Sequence, residues 1–288
     1  VSTLHSFIPS TDIVLVAFVV SNLCFLVSTL LLYELSLDLF DKDIAWKSTL
    51  IFIFFPSSFY LSAVYADALF MAVILGFFLS VSRGKWLLSS LFASAASITR
   101  PVGYIMPPLM MAGILAAIWS GRRIQPKDWL AIPVSLSGLA IMSTYRHGKT
   151  GNVFISLETR EKFWPNVGLH SPHEVFTMPL AEQWLAPLVI MAYILLSVTV
   201  FYIATEVMKM KNFDVRAMIY SLAFVLSIAY FCYTESQPIV RYLLPIIPIY
   251  WMLAKFSTTP TRLSLILSTC AMLGSLVATI FVTWGPLY

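Results

Sequence analysis

The sequence predicts an all-α protein, a polytopic transmembrane helical bundle of about ten membrane segments. Two observations carry this expectation. Of the 288 residues, 59% are hydrophobic and only 11% are charged, a balance that a water-exposed surface does not sustain. Apolar runs of about 17 to 24 residues also recur between short polar stretches, and a helix of ~20 such residues crosses the ~30 Å hydrocarbon core with its backbone hydrogen bonds satisfied internally.

In chain order the segments fall near 12–33, 46–64, 66–82, 86–99, 101–120, 128–145, 184–205, 216–233, 242–254 and 263–284. No Gly/Ser linker, low-complexity tract or short repeat divides them, so residues 1–288 read as a single transmembrane domain. Residues 86–120 admit two readings, a hairpin turning at Arg100 or one long helix kinked at Pro101. Charge decides between them. The hairpin places 12 of the 18 Lys and Arg on one side of the membrane, whereas the single helix erases the bias and buries Arg100. The net charge of +4 is then an orientation signal and implies no nucleic acid. Cys24, Cys232 and Cys270 lie scattered in apolar helices without metal spacing and read as small hydrophobes. The chain opens on Val1 with no basic region ahead of it, so no signal peptide is read.

The hairpin topology puts four polar elements on the extracytoplasmic face: Tyr65 to Asp67, Thr99 to Arg100, the loop 146–183, and Glu235 to Tyr242. Charges near membrane depth are costly and face a cavity or a partner. Asp67, Arg100 and Arg241 are therefore expected to converge on one polar cavity, with a structural ion pair as the alternative. In the loop, Phe154, Leu157 and Trp164 recur at near-helical spacing beside Glu158, Arg160, Glu161 and Lys162, which predicts an interfacial amphipathic helix anchored by Phe163 and Trp164. Such a helix either contacts substrate or caps the bundle. His147, His170, His173 and Glu174 share this face, but their spacing makes no regular ligand set, and no metal or cofactor is expected. Arg241, just ahead of an apolar helix carrying Pro245 and Pro248, presents a fork suited to phosphate or carboxylate, or snorkels to the lipid headgroups.

Taken together, "FFPSSFYLSAVYADALF" (54–70) and "GKWLLSSLFASAASITRPVGYIMPPLM" (84–110) resemble the signature region of the glycosylphosphatidylinositol mannosyltransferase II family and its prokaryotic relatives, within the GT-C superfamily of membrane glycosyltransferases. "AFVVSNLCFLVSTLLLYELS", "YRHGKTGNVFISLETREKFW" and "IVRYLLPIIP" resemble further family segments in consistent order, so the likeness spans most of 16–250. The resemblance implies a GT-C-like bundle that moves mannose, with inversion, from a polyprenyl or dolichyl phosphate carrier to a glycolipid or protein acceptor at the non-cytoplasmic face. It implies a multi-pass protein of a prokaryotic plasma membrane or of the endoplasmic reticulum, working among membrane lipids. Tyr65, Asp67, Arg100, Trp164, Glu235, Arg241 and Tyr242 are the substrate-binding candidates that follow. Asp67 departs from the family, whose relatives often carry Glu there, but keeps the negative charge. The family's acidic residue that activates the acceptor, on the loop after its first membrane helix, has no counterpart here: 11 residues precede the first segment, and Asp12 lacks a Trp-Asp context. The expectation is a chain lacking the N-terminal helix and first extracytoplasmic loop, or one whose activity is lost or altered, as in a non-catalytic subunit of a glycosylation complex. A lipid or sugar transporter is the remaining class, disfavoured because no paired broken helices appear.

Overall fold

The computed structural model describes residues 13–153, 155, 186–209, 215–233, 241 and 243–283, and these are helices and turns with no strand among them. The chain is an all-α membrane protein. Four of its helical stretches, Ile13–Leu39, Pro101–Trp119, Ile190–Lys209 and Pro260–Thr279, are long and apolar enough to cross a bilayer, and Asp67–Ser82, Trp86–Thr99 and Val215–Ser227 are shorter apolar helices.

Helix α1 (Ile13–Leu39) shows how the sequence packs. Its buried face includes Ser21, Ser28 and Ser36, while Leu15, Phe18, Leu23, Leu26 and Leu30 are exposed. Serines thus share the buried face with Ala17, Leu32, Leu35 and Leu39 while other leucines face outward, because lipid solvates leucine well and small residues let backbones approach. Ser28 Oγ donates to Cys24 O (2.8 Å) and to Ala68 O (3.3 Å), tying α1 to the start of a central helix.

The second expected segment, 46–64, is not one helix. Helix α2 (Lys42–Phe54) starts on the Asp41 cap, whose carboxylate accepts from Ile44 N at 2.8 Å. It stops before Pro56, which has no N–H to continue the ladder. The single turn α3 (Phe59–Ser62) follows, and residues 63–66 bend back before α4 (Asp67–Ser82) begins. All but Leu69 of the 16 residues of α4 are buried, so this helix is the axis around which the others pack.

Helix α5 (Trp86–Thr99) ends at Arg100, whose extended backbone (φ −145°, ψ 147°) precedes Pro101 as steric conflict with a following proline demands. A 3-10 turn, Pro101–Ile105, then leads into α6 (Met106–Trp119), which gives the hairpin at Arg100. Two glycines pin α5 by its backbone. A Cβ on Gly103 would sit 2.0 Å from Ala96 O, and one on Gly138 would sit 2.1 Å from Ser94 O. Gly138 lies on α7 (Ala131–Thr150). Gly138→Ala is expected to destabilise by about 1–3 kcal/mol or more, since backbone cannot yield as a side chain does, and to lower the thermal unfolding midpoint in detergent accordingly.

The expected loop 146–183 starts late: residues 146–150 complete α7, whose last turn is capped by Gly151 at φ +71° donating to His147 O at 2.8 Å. The expected amphipathic helix, with Trp164, lies outside the described residues, as do His170, His173 and Glu174. Helices α8 (Ala186–Lys209) and α9 (Val215–Tyr233) follow. The segment expected at 242–254 is helical only as α10 (Pro248–Phe256), after turns through 243–247, because Pro245 and Pro248 withhold the amides an earlier start needs. Helix α11 (Pro260–Thr283) closes the described part.

At one end of α4 the core is aromatic and charged. Trp251 Nε1 donates to Ser36 Oγ at 2.8 Å, and the Tyr202 and Tyr220 hydroxyls meet at 2.9 Å. Phe40, Tyr220 and Trp251 stack edge to face. Lys255 pairs with Glu206 and lies 5.1 Å from the Phe40 ring. At the same end Asp38 and Glu34 bind Arg83 and hold its guanidinium more firmly protonated than an ordinary arginine.

Candidate functional site

At the other end of α4 lies the group that the sequence reading expected to converge. Asp67 is the first residue of α4, where exposed backbone amides and the helix dipole favour a carboxylate. Its residue exposure is 3%, so water is not its counter-charge. Arg100, at the hairpin, donates from Nη1 to Oδ1. Arg241 donates from Nε (2.9 Å) and Nη2 (2.5 Å) to Oδ2. Both arginine side chains are themselves about 15% exposed. One carboxylate is thus bracketed by two guanidinium groups brought from 33 and 174 residues away.

Two aromatic rings set Arg241 in place. Its Cζ lies 4.3 Å from the Tyr65 ring centroid and 5.4 Å from that of Tyr60, and the two rings meet edge to face at 5.9 Å. Cation–π contact of this kind gains strength as water is excluded. The tyrosines come together because the backbone bends at 63–66: Tyr65 N donates to Ala63 O at 2.8 Å instead of continuing a helix. Tyr60 is a site residue that the sequence did not single out. Its spacing from Tyr65 matches neither side of a helix, and only the bend makes them neighbours.

Close by in sequence, on the 3-10 turn after Arg100, Tyr104 carries a buried hydroxyl with no hydrogen-bond partner among the described residues, and Arg146 stands 5.5 Å from its ring. Of the candidates named from sequence, Tyr65, Asp67, Arg100 and Arg241 are thus brought together; Trp164, Glu235 and Tyr242 lie outside the described residues.

The model of the family described as mannosyltransferase (PIG-V) matches residues 5–127. Over that stretch the chain resembles the PIG-V mannosyltransferases. The match covers a little under half of the sequence and takes in Tyr60, Tyr65, Asp67 and Arg100, stopping before Arg241. It supports the resemblance to the glycosylphosphatidylinositol mannosyltransferase II family and, together with the apolar helices, a membrane mannosyltransferase. Neither the curated proteins nor the solved structures contain a significant match.

The arrangement has definite chemical capacities. Guanidinium forks bind phosphate oxygens in pairs. With both carboxylate oxygens taken up by arginines, Asp67 is placed to position those groups.

Proposed function

We propose that this protein transfers a mannosyl unit from a polyprenyl or dolichyl phosphate carrier to a glycolipid or protein acceptor on the extracytoplasmic or luminal face, with inversion at the anomeric carbon, in a GT-C-type bundle. The observation that carries the reading is the buried Asp67 held between Arg100 and Arg241 within a chain that matches a mannosyltransferase family.

The chemistry suits these residue types. When the acceptor hydroxyl attacks the anomeric carbon, the bond to the carrier phosphate oxygen breaks, the sugar gains oxocarbenium character and the leaving phosphate gains charge. Preorganised cations in a site that excludes water stabilise that charge most where it develops. Arg241 and Arg100 are the residues assigned to the carrier phosphate. Asp67 holds them in register and prevents their mutual repulsion. Tyr65 stiffens Arg241 and offers an apolar face with a polar tip to sugar or lipid. The acceptor's proton needs a base, and none is assigned to Asp67.

One observation favours a second reading. Both oxygens of Asp67 are taken up by Arg100 and Arg241, as in a purely structural triad of a non-catalytic subunit. Labelled polyprenyl-phosphate mannose, supplied to membranes containing the protein with and without a glycolipid acceptor, separates the two. Acceptor-dependent loss of label from the carrier supports transfer, and an intact donor in both arms overturns it.

A further inference from the structure

The opposite end of α4 and α5 carries a second polar feature, unrelated to the Asp67 group. The turn after α4 and the segment between α6 and α7 enclose a cavity of about 840 Å³ lined by Arg83, Lys85, Arg122, Arg123 and Lys127, with Asp128 as the carboxylate in the lining. With α4 of 16 residues, the cavity lies about 24 Å from the Asp67 group along the helix, at 1.5 Å of rise per residue.

The five cations are not equivalent. Arg83 is neutralised by Asp38 and Glu34. Arg122 is a strut: Nη1 and Nη2 each donate to Ser82 O at 3.3 Å. Asp128 is engaged locally, accepting from Gln125 N at 2.8 Å in the cap of the 3-10 turn Pro126–Leu130. That leaves Lys85, Arg123 and Lys127, all exposed, without an ion-pair carboxylate among the described residues. A bias of positive charge to one membrane side explains why such residues occur at this end. It does not explain their gathering into one concavity.

The rim indicates what fills it. Leu87, Leu88 and Leu130 line the same cavity and are 42–57% exposed. Leu91 continues the exposed stripe down α5, and Trp119 and Trp129, close in sequence to the lining residues, are 86% and 46% exposed. Exposed tryptophans of this kind sit at headgroup level in a bilayer. A cationic hollow with exposed leucines in its lining and exposed tryptophans close by in sequence matches an anionic phospholipid, with its phosphate in the hollow and its acyl chains along α5.

We propose that this cavity is a binding site for the phosphate of an anionic glycerophospholipid, held by Lys85, Arg123 and Lys127 with Arg122 as the fixed wall. The test uses the intact chain in a neutral detergent, titrated separately with phosphatidylglycerol, phosphatidylcholine and inorganic phosphate, and read by thermal unfolding and by lipid adducts in native mass spectrometry. Phosphatidylglycerol is expected to bind and to raise the unfolding midpoint, whereas phosphatidylcholine is not. Each basic residue beside an anionic headgroup contributes on the order of a five-fold gain in affinity. The triple variant Lys85→Gln, Arg123→Gln, Lys127→Gln should therefore weaken phosphatidylglycerol binding by on the order of 100-fold. The exchange Lys85→Arg, Arg123→Lys, Lys127→Arg should retain binding, which separates charge from folding defects. Equal binding by the parent and the Gln variant overturns the proposal, as does a phosphatidylcholine response equal to that of phosphatidylglycerol. An equal response to inorganic phosphate overturns the lipid assignment.

Discussion

Arg241→Ala is expected to reduce mannosyl transfer by on the order of 100- to 1,000-fold, the usual cost of removing one charge-stabilising donor from a reaction centre, while the protein remains folded. The reason for the second half is charge balance. Without Arg241, Asp67 keeps its bond to Arg100, so the buried carboxylate is not left without a counter-ion. Arg241→Lys should not restore full activity, because lysine lacks the fork that reaches Asp67 through Nε and Nη2 and the planar face that lies 4.3 Å from Tyr65. Initial rates with labelled polyprenyl-phosphate mannose, alongside unfolding midpoints for both variants, check this. Near-normal transfer by Arg241→Ala would remove that residue from the mechanism.

Asp67→Asn is expected to do the reverse to stability. It leaves two guanidinium groups, each about 15% exposed, facing one another with no carboxylate between them. Removing one partner of a buried ion pair costs about 3–5 kcal/mol, and here repulsion adds to it. The unfolding midpoint in detergent should fall well below that of Arg241→Ala. The double variant Asp67→Asn, Arg241→Gln should recover part of the loss, since a single cation then remains. If Asp67→Asn unfolds with the parent protein, the carboxylate is not what holds the arginines together.

How much of this could be read from sequence differs residue by residue. Asp67, Arg100 and Arg241 were legible because each interrupts an apolar run at a helix boundary, and counting cations placed those boundaries on a common side. The helix limits at 67–82 and 86–99 were legible for the same reason, since Gly84 and Pro101 punctuate them. The break after Phe54 was not read, because proline in a membrane segment signals either a kink or a stop, and only packing selects the stop at Pro56. The end of α7 was misplaced because hydropathy falls at Arg146 whereas the hydrogen-bond ladder runs on to Thr150. Tyr60 escaped notice because its role depends on the bend at 63–66, a feature of tertiary structure with no periodic trace in the chain.

The shortness of α5 has a mechanical consequence. Its 14 residues measure about 21 Å at 1.5 Å per residue, against ~30 Å of hydrocarbon, while Leu87, Leu91 and Ile98 face outward. The expected result is thinning of the lipid beside this helix, next to Arg100, at an elastic cost that rises with acyl-chain length. Turnover in vesicles should accordingly be fastest with short acyl chains and slow as the bilayer thickens.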